Sequence, residues 1–423
     1  PGIGAGAPAS GMIKQAIVNG KDVMYVSIRE KVQSVASTWG RDLVILAATV
    51  FLARLGQGLL GGVSTNFFVD VLGLSGKQVL WLAGIREIPG LSLVLIAALI
   101  SHWPLSRRAG AALLLMGVGY GLYALVHSYA ALLAVAIVGS LGFHNWTPVQ
   151  SALGLALSKK EHSGRILGTL SSMGSLASLV GMGVTAALAA VLPLRSFYVL
   201  GGIAMVVGGL LVLRIPASAG ESRVVQPRIL FKKRYWLYYV LTFFEGSRMQ
   251  VFGTFGTLVL VQDYGLKAQQ VSLLLVVSGV VNFVLAPRMG RLLDIIGERT
   301  TLALSYVALA LCFIGYATVH NVLFLALMLI GINLLVTLRI GLSTYVNRIA
   351  PSEELAPTLS AGVSVNHITS VSMSLLAGTL LSIVGYEWLC WGAAAVIMLS
   401  VPFALGIKVN VPVPAESPAA TGI

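Results

Sequence analysis

Gly290-Arg291-Leu292-Leu293-Asp294-Ile295-Ile296-Gly297-Glu298-Arg299 separates one long apolar run from the next, and reading it decides the architecture. Its glycines permit a tight turn and close helix approach. Asp294 can accept hydrogen bonds from a helix N-terminus or pair with a basic group across a half-domain, and Arg291 and Arg299 can anchor at a phosphate surface. On both sides lie apolar runs of roughly 20 residues, the length that crosses a hydrocarbon core as a helix. Hydrophobic residues form 57% of the chain, charged residues 10%, and mean hydropathy is +0.89. A soluble domain carries about 25% charge, so a greasy soluble protein is excluded.

Working outward from this turn, twelve spans are expected near 43–69, 78–100, 110–126, 128–152, 165–188, 194–214, 236–261, 270–289, 301–319, 321–346, 358–383 and 386–407. The stretch 215–235, with Pro216, Pro227 and Lys232-Lys233-Arg234, divides them six and six and reads as a cytoplasmic linker. The expected organisation is an N-terminal segment 1–42, a six-helix bundle 43–214, this linker, a second six-helix bundle 236–407 and a tail 408–423. Placing the N-terminus inside puts most of the 28 Lys and Arg residues on the cytoplasmic face, with only Lys77, Arg195 and Lys267 in outer loops. That positive-inside bias predicts both termini in the cytoplasm. It also accounts for the net charge of +13 through topology and lipid contact, with no nucleic-acid partner. Ile28, Val32, Val35 and Trp39 recur at helical spacing, predicting an amphipathic helix on the inner membrane face. Cys312 and Cys390 have no CxxC spacing and read as free, buried thiols.

Sliding the chain by 192 residues superposes the two halves. Gly61 meets Gly253, Thr65 meets Thr257, Gly73-Leu74 meets Gly265-Leu266 and Gln78-Val79 meets Gln270-Val271. His102 falls on Asp294 and Arg107 on Arg299; with one residue inserted, His127 meets His320 and Glu161 meets Glu354. Two parallel six-helix halves related about the membrane normal are a transporter architecture, and no stretch resembles a carbonyl selectivity filter.

Gly290, Asp294, Gly297 and Arg299 together resemble the signature loop G-x-x-x-D-x-x-G-x-R of the major facilitator superfamily, at the required place between the eighth and ninth spans. The resemblance covers about 43–407 and implies an all-α polytopic fold of that type, with twelve helices in two pseudo-symmetric halves. It implies that the loop is a latch stabilising an outward-facing state, with Arg107 its first-half counterpart. There Ala98, His102 and Leu105 replace the two glycines and the aspartate, so the first-half copy is degenerate. The turn from Lys159 to Arg165 resembles the family's basic loop between the fourth and fifth spans. Gly174, Gly181 and Gly183 lack the proline of the family's antiporter signature, which weakens a drug/proton antiport reading.

Charges inside spans are expensive, roughly 3 kcal/mol each at the helix centre on insertion scales, so they line a cavity or pair within the bundle. Arg54 shares a face with Gln57, Gly61 and Thr65; Glu245 and Arg248 lie three apart, within reach of each other. Arg86-Glu87 precede Pro89-Gly90, and His144, Arg339 and Asn366-His367 occupy the fourth, tenth and eleventh spans. The resemblance makes the first, fourth, seventh and tenth spans cavity-lining, and Arg54, His144, Glu245/Arg248 and Arg339 distribute one set to each. Surplus guanidinium favours a carboxylate or phosphate, gripped bidentately. The placement of Arg54 and Arg248 is similar to that in organophosphate and organic-anion transporters of the superfamily. The alternative is structural: Glu245 neutralises Arg248 or Arg54, and adjacent Arg86 and Glu87 each need a partner elsewhere. His144 and His367 read equally as ligand-facing or as packing residues.

The expected function is a monomeric secondary transporter of a small organic anion, working by rocker-switch alternating access in a prokaryotic inner membrane. Arg54, Gln57, His144, Arg248, Arg339 and Asn366 are its candidate substrate residues. Glu245, then Glu87, are the candidate coupling carboxylates, with a proton as candidate co-substrate. Membrane lipids are the other expected partners, and no cofactor, catalytic residue or metal site is assigned. Export of amphiphilic, drug-like or lipid-like molecules past Phe143, Trp146, Phe244 and Phe252 is the alternative, as is facilitated movement of a metal or neutral solute. An enzyme would need a nucleophile–base set or metal cluster that these spacings do not specify.

Overall fold

A computed structural model describes residues 39–93, 96, 99, 100, 102–158, 162–219 and 231–408. The expected amphipathic segment before Trp39, the middle of the linker, Ala98, Glu161 and the tail beyond Lys408 lie outside the described residues.

Helices account for the architecture. They are α1 (Arg41–Asn66), α2 (Gly76–Ile85), α3 (Ile88–Leu91), α4 (Leu105–Gly121), α5 (Tyr129–Ala156), α6 (Ser163–Leu188) and α7 (Leu194–Val212), then α8 (Trp236–Gln262), α9 (Ala268–Thr318), α10 (Val322–Val336), α11 (Ile340–Ile349) and α12 (Ser352–Leu405). The labels number helices, not membrane crossings. Among the described residues, eight helical stretches are long and apolar enough to cross a membrane. Two of these are double-length: α9 has 51 residues and α12 has 54, and each bends at a glycine with non-helical backbone, Gly297 (φ 76, ψ 166) and Gly385 (φ 80, ψ 176). That region of backbone space is essentially open to glycine alone, so both bends are written into the sequence.

Many hydroxyls inside the helices settle their hydrogen bonds locally, as a lipid setting favours. Thr49 Oγ1 donates to the Ile45 carbonyl at 2.9 Å and Ser247 Oγ to that of Phe243 at 2.8 Å. Helix starts follow capping chemistry: Ser128 accepts from Ala131 N, and Asn321 Oδ1 from Phe324 N. Close crossings use small residues, as at Gly119 on α4, where a Cβ would strike the Gly139 backbone of α5. Cys312 and Cys390 are free and buried.

The repeat of 192 residues is carried into three dimensions. Gly73 and Gly265 both take left-handed φ, 63° and 66°. Leu74 N donates to Phe68 O at 2.9 Å, and Leu266 N to Leu260 O at 3.0 Å. Gln78 Oε1 accepts from Ser75 N at 3.0 Å and Gln270 Oε1 from Lys267 N at 2.9 Å, the same half of a capping box in both turns. Thr65 and Thr257, equivalent residues, meet each other at 2.9 Å. Helix neighbours repeat too: α1 packs on α6 as α8 packs on α12. Between the halves, α2 packs on α12 and α6 on α9, again a matched pair.

Candidate functional site

Among the described residues, backbone-anchored hydrogen bonds between the halves gather toward one end. Asn66 Nδ2 donates to Leu266 O at 2.8 Å, Ser272 Oγ to Gly62 O at 2.8 Å and Trp81 Nε1 to Leu375 O at 3.0 Å. All lie toward the 72–75 and 263–267 turns. At the opposite end no hydrogen bond or ion pair joins the halves among the described residues, and Asp294, Arg299 and Arg107 are exposed there. Gly297 supplies the turn of the signature loop, whereas Gly290 is helical with open space where a Cβ would stand. Beside this loop Glu298, 2% exposed, forms an ion pair with Arg348 at 2.7 Å.

At mid-bundle, the charged residues have distinct partners. Arg248 and Glu245, 6% and 4% exposed, form an ion pair within α8. The Arg248 guanidinium lies 4.1 Å from the Tyr306 ring centroid, a cation–π contact, and its Nε and Nη1 meet no acceptor among the described residues. Arg54 is half-buried on α1. Its Nη1 donates to Gln57 Oε1 at 3.0 Å, its stem lies on Gly174 of α6, and no described carboxylate is within ion-pair range. Arg248 is therefore compensated, while Arg54 keeps its charge beside a neutral amide. Asn366 is half-buried at the crossing of α12 with α8, its backbone so close to Gly246 that a Cβ there would stand 2.6 Å from its carbonyl oxygen. Arg339 is exposed on the 3-10 turn Thr337–Arg339 between α10 and α11.

Arg86 and Glu87 point different ways because the helix breaks at them: α2 ends at Ile85, and α3 restarts at Ile88 with Pro89 in its first turn. Arg86 turns into the first half, donating to Tyr120 Oη at 3.3 Å. Glu87 turns to the junction, where its Oε2 lies 2.9 Å from His367 Nδ1 and 3.5 Å from His144 Nε2. The sequence left His367 equally ligand-facing or packing; its approach to Glu87, 280 residues away, was not legible. A second missed contact gathers Lys232, Arg234 and Tyr235 on the Glu354 carboxylate, Lys232 Nζ at 2.7 Å and Tyr235 Oη at 2.8 Å. The basic cluster at the linker's end is thus a clasp on the start of α12. Of the expected apolar wall, Trp146 is 1% exposed and Phe244 packs on Phe403 at 5.6 Å, both occupied in helix packing.

The sequence profile described as Major Facilitator Superfamily matches residues 46–245 and 238–422. No curated protein sequence matches the chain. The structure is similar to that of the nucleoside transporter NupG, with TM-score 0.71 and 14% identity over 87% of this chain and 98% of that one. It is similar to a POT family transporter in complex with 5-aminolevulinic acid, with TM-score 0.72 and 10% identity over 86% of this chain and 96% of the other. The human organic anion transporter MFSD10 is similar at TM-score 0.56 and 14% identity, over 86% of this chain and 99% of its own. With both halves matched and the pseudo-symmetric fold in place, the chain belongs to the Major Facilitator Superfamily: it is an integral membrane transporter, not an enzyme.

Proposed function

We propose that this secondary transporter moves a small polar organic solute that is neutral overall, by alternating access, with Arg54 and Gln57 as its hydrogen-bonding anchor. The buried Glu245–Arg248 pair carries the reading: it neutralises the second arginine of the expected anion grip. A guanidinium already bound to a carboxylate has less to offer an anion, since a new anion would have to displace Glu245 or share its donors. Fold relatives named for nucleosides and peptides fit this solute range, and one named for organic anions fits the second reading. A specific observation favours the second reading, a small organic anion: Arg54 has no carboxylate in range among the described residues. Amphiphile export is disfavoured by the packing of Trp146 and Phe244. With the basic loops inside, the conformation described is open to the cytoplasm and its exposed Asp294 belongs to a released latch. Twelve spans, cytoplasmic termini, a prokaryotic inner membrane and a monomer complete the proposal.

Thermal-shift screening of purified protein against nucleosides, dipeptides, monocarboxylates and phosphate esters tests it, followed by uptake of each hit into proteoliposomes. Neutral or zwitterionic hits whose stabilisation is lost in Arg54→Ala and Gln57→Ala are expected. If only anions stabilise the protein, and both Arg54→Ala and Arg248→Ala abolish the effect, the two-arginine anion site is correct instead.

A further inference from the structure

Glu87, His144 and His367 bring one carboxylate and two imidazoles to the junction of the halves, with their ligand atoms within 4.8 Å of one another. His144 is 7% exposed, so this is an enclosed cluster and not a surface scatter. Two features show that the place is built for it. The break between α2 and α3 is what aims Glu87 away from Arg86. Gly90, a turn later, leaves room for both imidazoles: a Cβ there would stand 2.8 Å from His367 Cε1 and 2.9 Å from His144 Cδ2.

The hydrogen bonds of His144 fix which of its nitrogens is bare. Nδ1 lies 2.9 Å from the Ser140 carbonyl, which can only accept, so Nδ1 carries a proton. Ser140 Oγ gives its own proton to the Arg86 carbonyl and so also accepts from Nδ1, at 3.1 Å. In the neutral ring, Nε2 is therefore a lone pair, and it faces the Glu87 carboxylate oxygen at 3.5 Å. Two lone pairs at that distance repel unless a proton or a metal ion lies between them. Ligands held at about 2.0–2.1 Å by a tetrahedral zinc ion sit roughly 3.3 Å apart, close to this separation. A ring N–H held by a backbone carbonyl is also how a metal-binding histidine is oriented.

We propose that Glu87, His144 and His367 bind a divalent transition cation of the zinc class, and that the bound ion fastens the two halves at this end of the bundle. Mixed imidazole and carboxylate donors suit zinc, cobalt or nickel, and not magnesium or calcium, which take oxygen ligands. Glu87 and His144 belong to the first half and His367 to the second, so the third ligand is available only when the halves are closed here. The site is independent of which organic solute is carried.

The test uses the full chain in detergent, titrated with Co2+ as a visible stand-in for zinc. One equivalent should give the strong visible bands of a low-coordinate cobalt site, displaced by Zn2+ and not by Mg2+. His144→Ala and His367→Gln should each weaken binding by at least about tenfold. His102→Ala, at an exposed histidine, should leave it unchanged. Melting temperatures in chelator confirm that each variant is folded, and His367→Gln keeps a hydrogen-bond donor for Glu87. Zn2+ should also slow amide hydrogen exchange in the 72–75 and 263–267 turns, except with His367→Gln. Absence of cobalt bands, or bands indifferent to His144→Ala and His367→Gln, overturns the site. Binding without a change in that exchange, or zinc accumulation inside proteoliposomes, overturns the fastening role.

Discussion

Replacing Glu245 with Leu leaves the Arg248 guanidinium buried without its counter-charge. Arg248 is 6% exposed, its Nε and Nη1 already lack acceptors among the described residues, and only the Tyr306 face would remain beside it. Breaking a buried pair from one side costs about 3–5 kcal/mol. Arg248→Met is expected to cost less, about 1–3 kcal/mol, because an orphaned carboxyl sheds its charge by taking a proton whereas a guanidinium cannot. The double variant should return close to wild type, since an apolar pair of similar volume removes both desolvation penalties. For a unit of about 200 residues, each kcal/mol moves the melting temperature by roughly 2–4 °C, so Glu245→Leu should fall on the order of 10 °C below wild type. Thermal denaturation of the four proteins in one detergent reads this directly. A double variant as unstable as Glu245→Leu, or Arg248→Met the worse of the single variants, refutes the reasoning.

Cysteines at Thr65 and Thr257, whose hydroxyls meet at 2.9 Å, should cross-link readily, and the bridge should arrest uptake; uptake that persists with the bridge complete contradicts alternating access through this junction. Gly297→Ala should destabilise by about 1–3 kcal/mol, because φ 76, ψ 166 is nearly closed to a residue with a Cβ; an unchanged melting temperature would show that the turn adopts another backbone. Burial at the end of α8, and then the neighbouring Glu387 carboxylate, push the Asp263 carboxyl above its ordinary value. A carboxyl protonated more easily in the folded than the unfolded chain costs stability once ionised. Asp263→Asn should therefore raise the melting temperature at pH 7, with the gain fading as pH falls through the raised range to about 3.9; a gain that grows on acidification would reverse the assignment.

Local chemistry was legible in the sequence. The offset of 192 residues placed Gly73 on Gly265 and Gln78 on Gln270, and both pairs share backbone and cap, because a left-handed turn and a capping contact are specified by residues a few positions apart. Glu245 and Arg248 were within reach of each other at helical spacing, and they pair. Burial of Cys312 and Cys390 followed from their apolar runs. What spacing could not supply was side-chain direction across a helix crossing. Adjacent Arg86 and Glu87 were expected to need separate partners, but only the break in the helix shows which: Tyr120 for one, His144 and His367 for the other. Whether Arg54 and Arg248 act as a pair likewise depended on which partner each meets, Gln57 for one and Glu245 for the other. Periodicity determines which residues enter the membrane, since the cost of burying charge acts on each helix separately. Only the packing of the two halves decides which of those residues touch, because that depends on crossing angles and on glycines such as Gly90 that let distant side chains close upon one another.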